Sequence, residues 1–388
     1  MFDRSGSAGK SGGFMAEPGQ SRRTEDRGAD RELAHLREQI DKVDVEILEC
    51  LNRRARVVQD VGRLKRESGG AVYSAGREAE IVRRLRDGNE GPFPDAAIAA
   101  VFREIVSGTR ALEKVVHVAY LGPAGTFSHR AAIEIFGRQA VLEPQVSIAD
   151  VFTAVERGRV QLGVAPIENT TEGIVTATYD LLPGFAGTLC GEFMLSVSYD
   201  LLSTSGRLAD VHRVASHPQP LGQCRGWLDR NLPGVERVET PSTAAAAQLA
   251  TEDDGVAAIA GGIAGQDCGL RAVELAIEDR QDNTTRFVLI GTKPPERGDA
   301  ERTSAVFTLR KDESGALHRL LEPFASRGVN LTSLHLRPIK DKPWEYLFFM
   351  ELEGHATDPR VAEALEVAGG VAHSHRVLGS FPHADRRE

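Results

Sequence analysis

The chain has 388 residues, 41% of them hydrophobic and 27% charged, and its formal net charge is −9. A typical domain has about 100 to 200 residues, so this length predicts two to four domains. The negative charge disfavours nucleic acid as a partner, because binding a phosphate backbone requires a basic surface. No apolar run reaches the roughly 18 residues that a membrane-spanning helix needs, so no membrane contact is expected. The four cysteines lie far apart without metal-ligand spacing, which predicts reduced thiols, a cytoplasmic location and no bound metal.

The N-terminal third of the chain is predicted to be helical after a tail. Residues 1–30 are rich in Gly and Ser and lack the apolar core of a signal peptide, so we expect them to be disordered. Apolar residues then recur every three or four positions, at Leu33, Leu36, Ile40, Val43, Ile47 and Leu51. This period predicts one helix from Arg31 to Arg66, about 54 Å long, and shorter helices follow at 77–87 and 94–113. A small domain cannot cover so long a stripe, so we expect a homodimer or a larger homo-oligomer.

Two cations, Arg54 and Lys65, continue the spacing of this apolar stripe. They share one helix face about 16 Å apart, where long side chains leaning together would bracket one small anion. Arg37 lies about 25 Å from Arg54 along the axis, so it would reach that site only from a partner subunit. The alternative is that these cations extend to solvent or pair with carboxylates.

Several strings of this region match one family in order: Leu36-Arg37-Glu38-Gln39-Ile40-Asp41, Arg53-Arg54, Gly62-Arg63-Leu64-Lys65, Arg77-Glu78 and Phe102-Arg103-Glu104-Ile105. On these strings, residues 31–114 resemble the all-helical chorismate mutases. The resemblance implies a chorismate site made of Arg37 from the partner subunit, Arg54, Lys65, Arg77, Glu78, Thr109 and Glu113. The cations would hold the carboxylates and the ether oxygen, and Glu78 would bind the hydroxyl group.

Conversion of chorismate to prephenate is an intramolecular rearrangement that needs no cofactor. Catalysis then consists of holding a compact conformer and stabilising charge on the ether oxygen, the role implied for Arg54, Lys65 and Glu113. Two positions depart from the family pattern, Ser74 where Asp is frequent and Glu113 where Gln is frequent. Glu113 can donate a hydrogen bond only when it is protonated.

Strand and helix signals alternate after Glu113, which predicts two α/β lobes with a cleft. The predicted strands are 115–121, 160–166, 196–202, 213–216, 257–260 and 287–290, and helix-like stretches include 147–157 and 242–251. Polar clusters follow several of these strands, where ligands of open α/β sheets bind. Taken singly, Ser and Thr residues at such positions are more often helix caps or turns than ligand contacts.

Four strings in this region match one family in order: residues 119–129 (Ala-Tyr-Leu-Gly-Pro-Ala-Gly-Thr-Phe-Ser-His), Pro166-Ile167-Glu168-Asn169, Ser216-His217-Pro218-Gln219-Pro220 and Thr285-Arg286-Phe287. On them, residues 115–295 resemble prephenate dehydratase, a two-lobed fold like that of periplasmic binding proteins. The resemblance implies Thr285 as the hydrogen-bond donor to the departing hydroxyl group and Arg286 as a carboxylate clamp. Glu168, Asn169, Ser216 and Gln223 are the further candidates for substrate contact, and His217 is either an acid or a structural residue.

Residues 303–382 show the order β-α-β-β-α-β, which predicts a ferredoxin-like α+β unit. A purely structural or dimerisation module is one interpretation. The strings Gly315-Ala316-Leu317, Leu331-Thr332 and Arg337-Pro338 resemble the ACT domains that bind phenylalanine. The resemblance implies an effector site at Gly315, Ala316, Leu317 and Arg337, with phenylalanine as the effector. His335-Leu336 replace the Glu-Ser usual before this Arg-Pro, which predicts an altered response to phenylalanine.

The leading hypothesis is a multidomain, bifunctional enzyme of phenylalanine biosynthesis, a chorismate mutase and a prephenate dehydratase that needs no cofactor. A second hypothesis is a dehydratase for prephenate or arogenate whose mutase-like region serves mainly in dimerisation. A third is a non-catalytic amino-acid sensor, which the Thr285-Arg286-Phe287 string disfavours.

Overall fold

The computed structural model describes residues 19–68, 75–113, 115–298, 301–309, 313–339 and 345–383. Contacts divide the chain into two units, residues 1–57 and 58–388. None of the described helices is long and apolar enough to cross a membrane.

The helices of the described residues are, in chain order, α1 Gly19–Ser68, α2 Ala75–Asp87, α3 Asp95–Ala111, α4 Phe127–Phe136, α5 Ile148–Glu156, α6 Thr176–Leu181, α7 Pro218–Gln223, α8 Arg225–Asn231, α9 Thr243–Glu252, α10 Gly262–Cys268, α11 Ala316–Ser326 and α12 Pro359–Val371. The strands are β1 His117–Leu121, β2 Val141–Gln145, β3 Leu162–Asn169, β4 Gly173–Ile174, β5 Thr188–Ser196, β6 Asp200–Ser203, β7 Arg213–Ser216, β8 Glu236–Glu239, β9 Val256–Ala260, β10 Arg271–Glu274, β11 Thr284–Gly291, β12 Glu301–Thr308, β13 Leu331–Pro338, β14 Tyr346–Glu353 and β15 Ser374–Pro382.

Helix α1 is longer than its apolar period predicts. It begins at Gly19, so the stretch predicted to be a disordered tail is helical from there on, whereas residues 1–18 lie outside the described residues. No proline follows Pro18 before the end of this helix, so every residue along it keeps the backbone N–H that a helix uses. Within the first unit, the apolar stripe from Leu33 to Ile47 is exposed to solvent.

The second unit begins its globular part with helices α2 and α3, both where the sequence predicts them. Asn89 closes the turn between them, because its Nδ2 donates to the Phe93 carbonyl oxygen at 2.8 Å. Helix α3 is anchored to the following region by the buried Arg110, whose guanidinium donates to the Phe136 carbonyl oxygen at 2.6 Å.

The first lobe is a six-stranded sheet in the order β2-β1-β3-β11-β5, with β4 paired to β3. Strands β1, β2 and β3 are parallel, and β11 is antiparallel to both β3 and β5. Both faces are buried because α4 covers one face, while α5 and α6 cover the other. This explains why the strands read as continuous apolar runs rather than as alternating patterns.

The second lobe is a five-stranded sheet in the order β10-β6-β9-β7-β8. The predicted strand 196–202 is wrong as a single element, because β5 ends at Ser196 and β6 begins at Asp200 in the other sheet. The chain crosses between the lobes at 197–199 and returns at 275–283, where the Val197 amide donates to the Asn283 carbonyl oxygen at 2.8 Å. Apolar composition alone cannot reveal such a crossing, because Val197 and Tyr199 are buried as strand residues are.

The C-terminal region is a four-stranded antiparallel sheet in the order β13-β14-β12-β15. Helices α11 and α12 cover one face. The other face packs on the first lobe, because Phe349, Leu378 and Phe381 share one core with Phe152 and Tyr179. The dehydratase-like and ACT-like segments therefore have a common hydrophobic core.

The contact between β15 and β5 leaves no room for a side chain at Gly379. A Cβ atom there would lie 2.3 Å from the Leu189 carbonyl oxygen, which is backbone. We therefore expect Gly379→Ala to lower the free energy of unfolding by about 1–3 kcal/mol through overpacking, measured as a lower melting temperature.

The matched control is Gly370→Ala in α12, where an added Cβ meets nothing within 4 Å. It should leave the melting temperature unchanged or slightly raised, because alanine is the better helix former. Equal melting temperatures for both variants would contradict the close β15–β5 contact.

Candidate functional site

The residue predicted to act on the departing hydroxyl group, Thr285, lies on β11 near the point where the chain re-enters the first lobe. It pairs with Asn169 of β3 on one side and Leu195 of β5 on the other. The Thr285 side chain accepts a hydrogen bond on Oγ1 from Asn169 Nδ2 at 2.9 Å. Its hydroxyl proton has no acceptor among the described residues, so the group is able to donate to a ligand.

Two backbone amides fix the orientation of the Asn169 side chain. Its Oδ1 accepts from the amides of Thr171 at 2.9 Å and Glu172 at 3.0 Å. An amide nitrogen can only donate, so the Asn169 oxygen must face these two groups and its nitrogen must face Thr285. The second hydrogen of this nitrogen goes to Asn283 Oδ1 at 2.8 Å.

The same chain of hydrogen bonds continues into the second lobe. Asn283 is 3% exposed, and its Nδ2 donates to Gln223 Oε1 at 3.1 Å. Gln223 ends α7, and its own Nε2 is buried without a hydrogen-bond partner among the described residues. A buried donor without a partner is costly, so this nitrogen is a candidate to donate to a ligand acceptor.

Other residues of the polar clusters are occupied by the fold. The buried Ser216 donates to the Ile259 carbonyl oxygen at 2.7 Å. His217 accepts from the Gln219 amide at 3.4 Å and caps α7. This contact corresponds to the structural role, one of the two roles predicted for His217. Thr170 bonds the backbone of Asp282 and Thr284, and Ser242 caps α9.

The loop after β1 lies beside the second lobe. Thr126 caps α4, and the amide of Gly125 donates to His129 Nδ1 at 3.0 Å. Burial lowers the pKa of His129, outweighing the nearby Asp267 carboxylate, so the ring stays a neutral acceptor for this amide. Gly125 has φ +82°, which favours glycine, and a Cβ atom added there would lie 3.4 Å from Ala264 and 3.5 Å from Ala244 of the second lobe.

Arg286 faces away from Thr285, into a buried cluster of charges. Its Nε donates to Glu192 at 2.7 Å, and its two terminal nitrogens donate to Glu351 at 3.0 and 2.6 Å. Arg302 joins both carboxylates at 3.2 and 3.1 Å, and His383 bonds Glu192 at 2.6 Å. The predicted clamp is thus already engaged by protein carboxylates. Glu168, another predicted substrate contact, lies close to it, with 4.0 Å between the Arg286 guanidinium and the Glu168 carboxylate.

The environment of this cluster keeps the guanidinium charged. Burial by itself lowers the pKa of Arg286, but the carboxylates of Glu351 and Glu192 outweigh that effect and raise it. Two arginines and two glutamates make a neutral group, which reduces the cost of burying them.

The sequence contained a signal for this cluster that motif matching missed. Glu192 is the one carboxylate of the apolar strand β5, and Glu351 interrupts the buried apolar run of β14, where an acidic residue requires a partner. Their partner could be identified only from the fold, since 94 and 65 residues separate them from Arg286.

The helical candidates are divided between the two units. In the first unit, Arg37 is exposed and Arg54 is half-buried. In the second unit, the buried Thr109 donates to the Ile105 carbonyl oxygen at 2.8 Å, and Glu113 packs its carboxyl group against Gly62 of α1. Arg77 pairs with Glu80 at 2.7 Å. The side chains of Lys65 and Glu78, and all of Ser74, lie outside the described residues.

The predicted effector residues occupy the C-terminal sheet and its first helix. Gly315 adopts φ +74° at the start of α11, followed by Ala316 and the partly exposed Leu317. Arg337 donates to Asp180 of α6 at 2.8 Å, so this motif contacts the first lobe. The ring of His335 lies against Tyr179 of the same helix, 5.4 Å between centroids.

No group of three His, Cys, Asp or Glu side chains suited to a metal ion occurs in the part of the chain that the structure describes.

Comparison with known proteins matches three family models in order. They are chorismate mutase type II over residues 36–114, prephenate dehydratase over 118–295 and the ACT domain over 304–370. A bifunctional chorismate mutase/prephenate dehydratase of Aquifex aeolicus is 40% identical over 357 residues, covering 91% of this chain and 98% of the relative. The protein of that name from Neisseria gonorrhoeae is 42% identical over 358 residues, covering 92% and 98%.

A solved structure adds a fold comparison. The prephenate dehydratase from Arthrobacter aurescens in complex with L-Phe is 36% identical, with a TM-score of 0.64. The match covers 70% of this chain and 91% of that chain.

The buried cluster around Arg286 generates a stability prediction. Arg286→Met should lower the free energy of unfolding by about 3–5 kcal/mol, because it leaves buried carboxylates short of a partner. The measurement is thermal or urea unfolding of the full chain.

Arg297→Met is the matched control, because Arg297 forms an exposed ion pair with Asp358. Exposed pairs contribute little, so this variant should melt close to the parent. A similar small loss in both variants would show that the buried cluster does not stabilise the fold.

Proposed function

The chain belongs to the family of bifunctional chorismate mutase/prephenate dehydratases, and we propose that it rearranges chorismate to prephenate and converts prephenate to phenylpyruvate. It is thus an isomerase and a carbon–oxygen lyase of phenylalanine biosynthesis. The observation that carries the second activity is the hydrogen bond from Asn169 to Thr285 Oγ1, which leaves the threonine proton for a ligand.

The dehydration requires one well-placed donor. The bond between the ring and its carboxylate breaks, its electron pair moves into the ring, CO₂ leaves, and the ring becomes aromatic. The carbon–oxygen bond of the ring hydroxyl breaks at the same time, and that oxygen leaves as water when it receives a proton. A threonine hydroxyl is a weak acid, so Thr285 contributes as a positioned hydrogen-bond donor to the departing oxygen.

The remaining substrate contacts are assigned to polar residues at or just after the ends of strands β3 and β7. Gln223 Nε2, buried and without a partner among the described residues, is a donor for a substrate carboxylate or carbonyl oxygen. Glu168, whose side chain is 39% exposed, is a second candidate contact, and Ser216 supports the loop before α7. Arg286 stabilises the position of β11 from the face opposite Thr285, since it donates to Glu192 and Glu351.

Supplying chorismate to the purified protein without any cofactor tests both activities at once. We expect prephenate to appear first and phenylpyruvate to follow. In Thr285→Ala we expect phenylpyruvate formation to fall about 10²-fold or more, while prephenate formation continues, because the mutase site is separate.

Thr285→Ser is the matched control, since it keeps the hydroxyl group and should retain more turnover than alanine. Dehydratase turnover within a few-fold of the parent in Thr285→Ala would contradict the role of Thr285. Formation of neither product would favour a sensor, and phenylpyruvate formation from added prephenate alone would favour the dehydratase with a non-catalytic helical region.

The mutase site is assigned to Arg54, Lys65, Arg77, Glu78, Thr109 and Glu113, completed by Arg37 of the partner subunit. We therefore assign the chain to a homodimer. Support comes from α1, whose side chains Leu33, Leu36, Ile40, Val43 and Ile47 form one exposed apolar face. A second α1 helix of the same kind is the natural cover for such a long stripe.

Sedimentation tests this assembly. The parent should sediment at twice the chain mass or more, and Ile40→Glu should weaken the assembly and mutase turnover together, because it places a charge in the apolar face. Val45→Glu is the matched control, since Val45 is equally exposed but lies on the opposite side of α1. A parent that sediments as a monomer with full mutase turnover would contradict the assignment.

The C-terminal region is assigned a regulatory role and a ferredoxin-like fold, supported by its strand order β13-β14-β12-β15 with two helices on one face. Phenylalanine is the proposed effector, bound near Gly315–Leu317 and Arg337, and its effect is altered by His335-Leu336. The two lobes with their double crossing support the likeness to periplasmic binding proteins. The buried free thiols of Cys190 and Cys224 fit a reducing, cytoplasmic location.

A further inference from the structure

Asn283 connects the two lobes of the dehydratase region at the return crossing. Its backbone oxygen accepts from Val197 on the first crossing segment, and its side chain bonds Asn169 in one lobe and Gln223 in the other. At 3% exposure it has almost no contact with solvent. It precedes Thr285 by two residues but does not bond that side chain.

Two backbone amides determine the orientation of each side-chain amide in this series of hydrogen bonds. Because Asn169 Oδ1 is held by the amides of Thr171 and Glu172, its nitrogen must face Asn283. The Asn283 atom that faces it must then be oxygen, so the Asn283 nitrogen must face Gln223. Gln223 must in turn present oxygen to Asn283, which leaves its own nitrogen for a ligand.

From this geometry we infer that Asn283 is a positioning residue of the dehydratase reaction, acting on Thr285 through Asn169. The Asn283 oxygen holds one hydrogen of the Asn169 nitrogen, and the other hydrogen is thereby directed at Thr285 Oγ1. That bond occupies the threonine oxygen as an acceptor and turns its proton toward the departing hydroxyl group. Asn283 also sets the direction of the Gln223 nitrogen, so the two lobes present their donors together.

The inference rests on the proposed dehydratase function. It predicts that one substitution of Asn283 lowers kcat, whereas another raises KM. Removing the side chain in Asn283→Ala releases both Asn169 and Gln223, so we expect kcat for prephenate to fall about 10- to 100-fold. Asn283→Asp keeps an oxygen for Asn169 but cannot donate to Gln223. The Gln223 amide then rotates to donate to the carboxylate and turns its oxygen toward the substrate. This variant should keep kcat within about 5-fold of the parent and raise KM.

A double-mutant cycle tests whether Asn283 acts through Thr285. In the Thr285→Ala background, Asn283→Ala should lower the remaining turnover less than about 3-fold, because the group it positions is gone. Asn231→Ala is the matched control: this exposed asparagine donates to the Trp227 carbonyl oxygen at 2.9 Å, away from the site, and should leave both constants unchanged. Melting temperature and mutase turnover check that each variant is folded.

The possible results separate clearly. A kcat for Asn283→Ala within 2-fold of the parent would overturn the inference, as would an equal loss in both backgrounds. If Asn283→Ala fails to fold, Asn283→Asp decides, because an aspartate variant with lost kcat and unchanged KM contradicts the proposed chain. A parent that forms no phenylpyruvate from prephenate would overturn the proposed function and this inference together. Turnover by the parent and a fully active Asn283→Ala variant would overturn the inference alone.

Discussion

The buried ion cluster of Arg286 with Glu192 and Glu351 is the constraint on which the arrangement of the site depends. Side chains alternate along a strand, so neighbouring residues of β11 face opposite ways. Thr285 faces the Asn169 side chain, and Arg286 faces the C-terminal sheet, where Glu351 of β14 binds it. The strand that carries the proposed donor is therefore tied directly to the regulatory region, 65 residues further along the chain.

This connection gives a physical route for regulation. Allostery requires an effector that distinguishes two arrangements of the protein. Several contacts join the C-terminal sheet to the first lobe, among them the ion pairs of Glu351 with Arg286 and of Arg337 with Asp180. A ligand that shifts β13 or β14 would act on both, and the shared core around Phe349 and Phe381 would transmit the shift to α5 and α6.

On the opposite face of β11, the buried polar groups are neutral amides rather than charged side chains. Asn169, Asn283 and Gln223 form a chain of amides whose directions are all fixed by the backbone amides of Thr171 and Glu172. Such a chain costs little to bury, because nearly every donor and acceptor in it is bonded. The exception among the described residues is the Gln223 nitrogen, which we propose as a donor to the substrate.

Much of this protein could be read from its residues, and the rest depends on contacts far apart in sequence. The apolar period of α1, the order of strands and helices, and the strings around Thr285 predicted the helical region, the α/β region and the C-terminal sheet, because these signals are local. The break between β5 and β6 was not predicted, since buried crossing residues look like strand residues. The partners of Arg286 and the amide chain through Asn283 were decided by tertiary structure alone. A side chain's chemistry is written in the sequence, but the groups that surround it, and hence whether it binds a ligand or holds the fold, are set by which strands become neighbours.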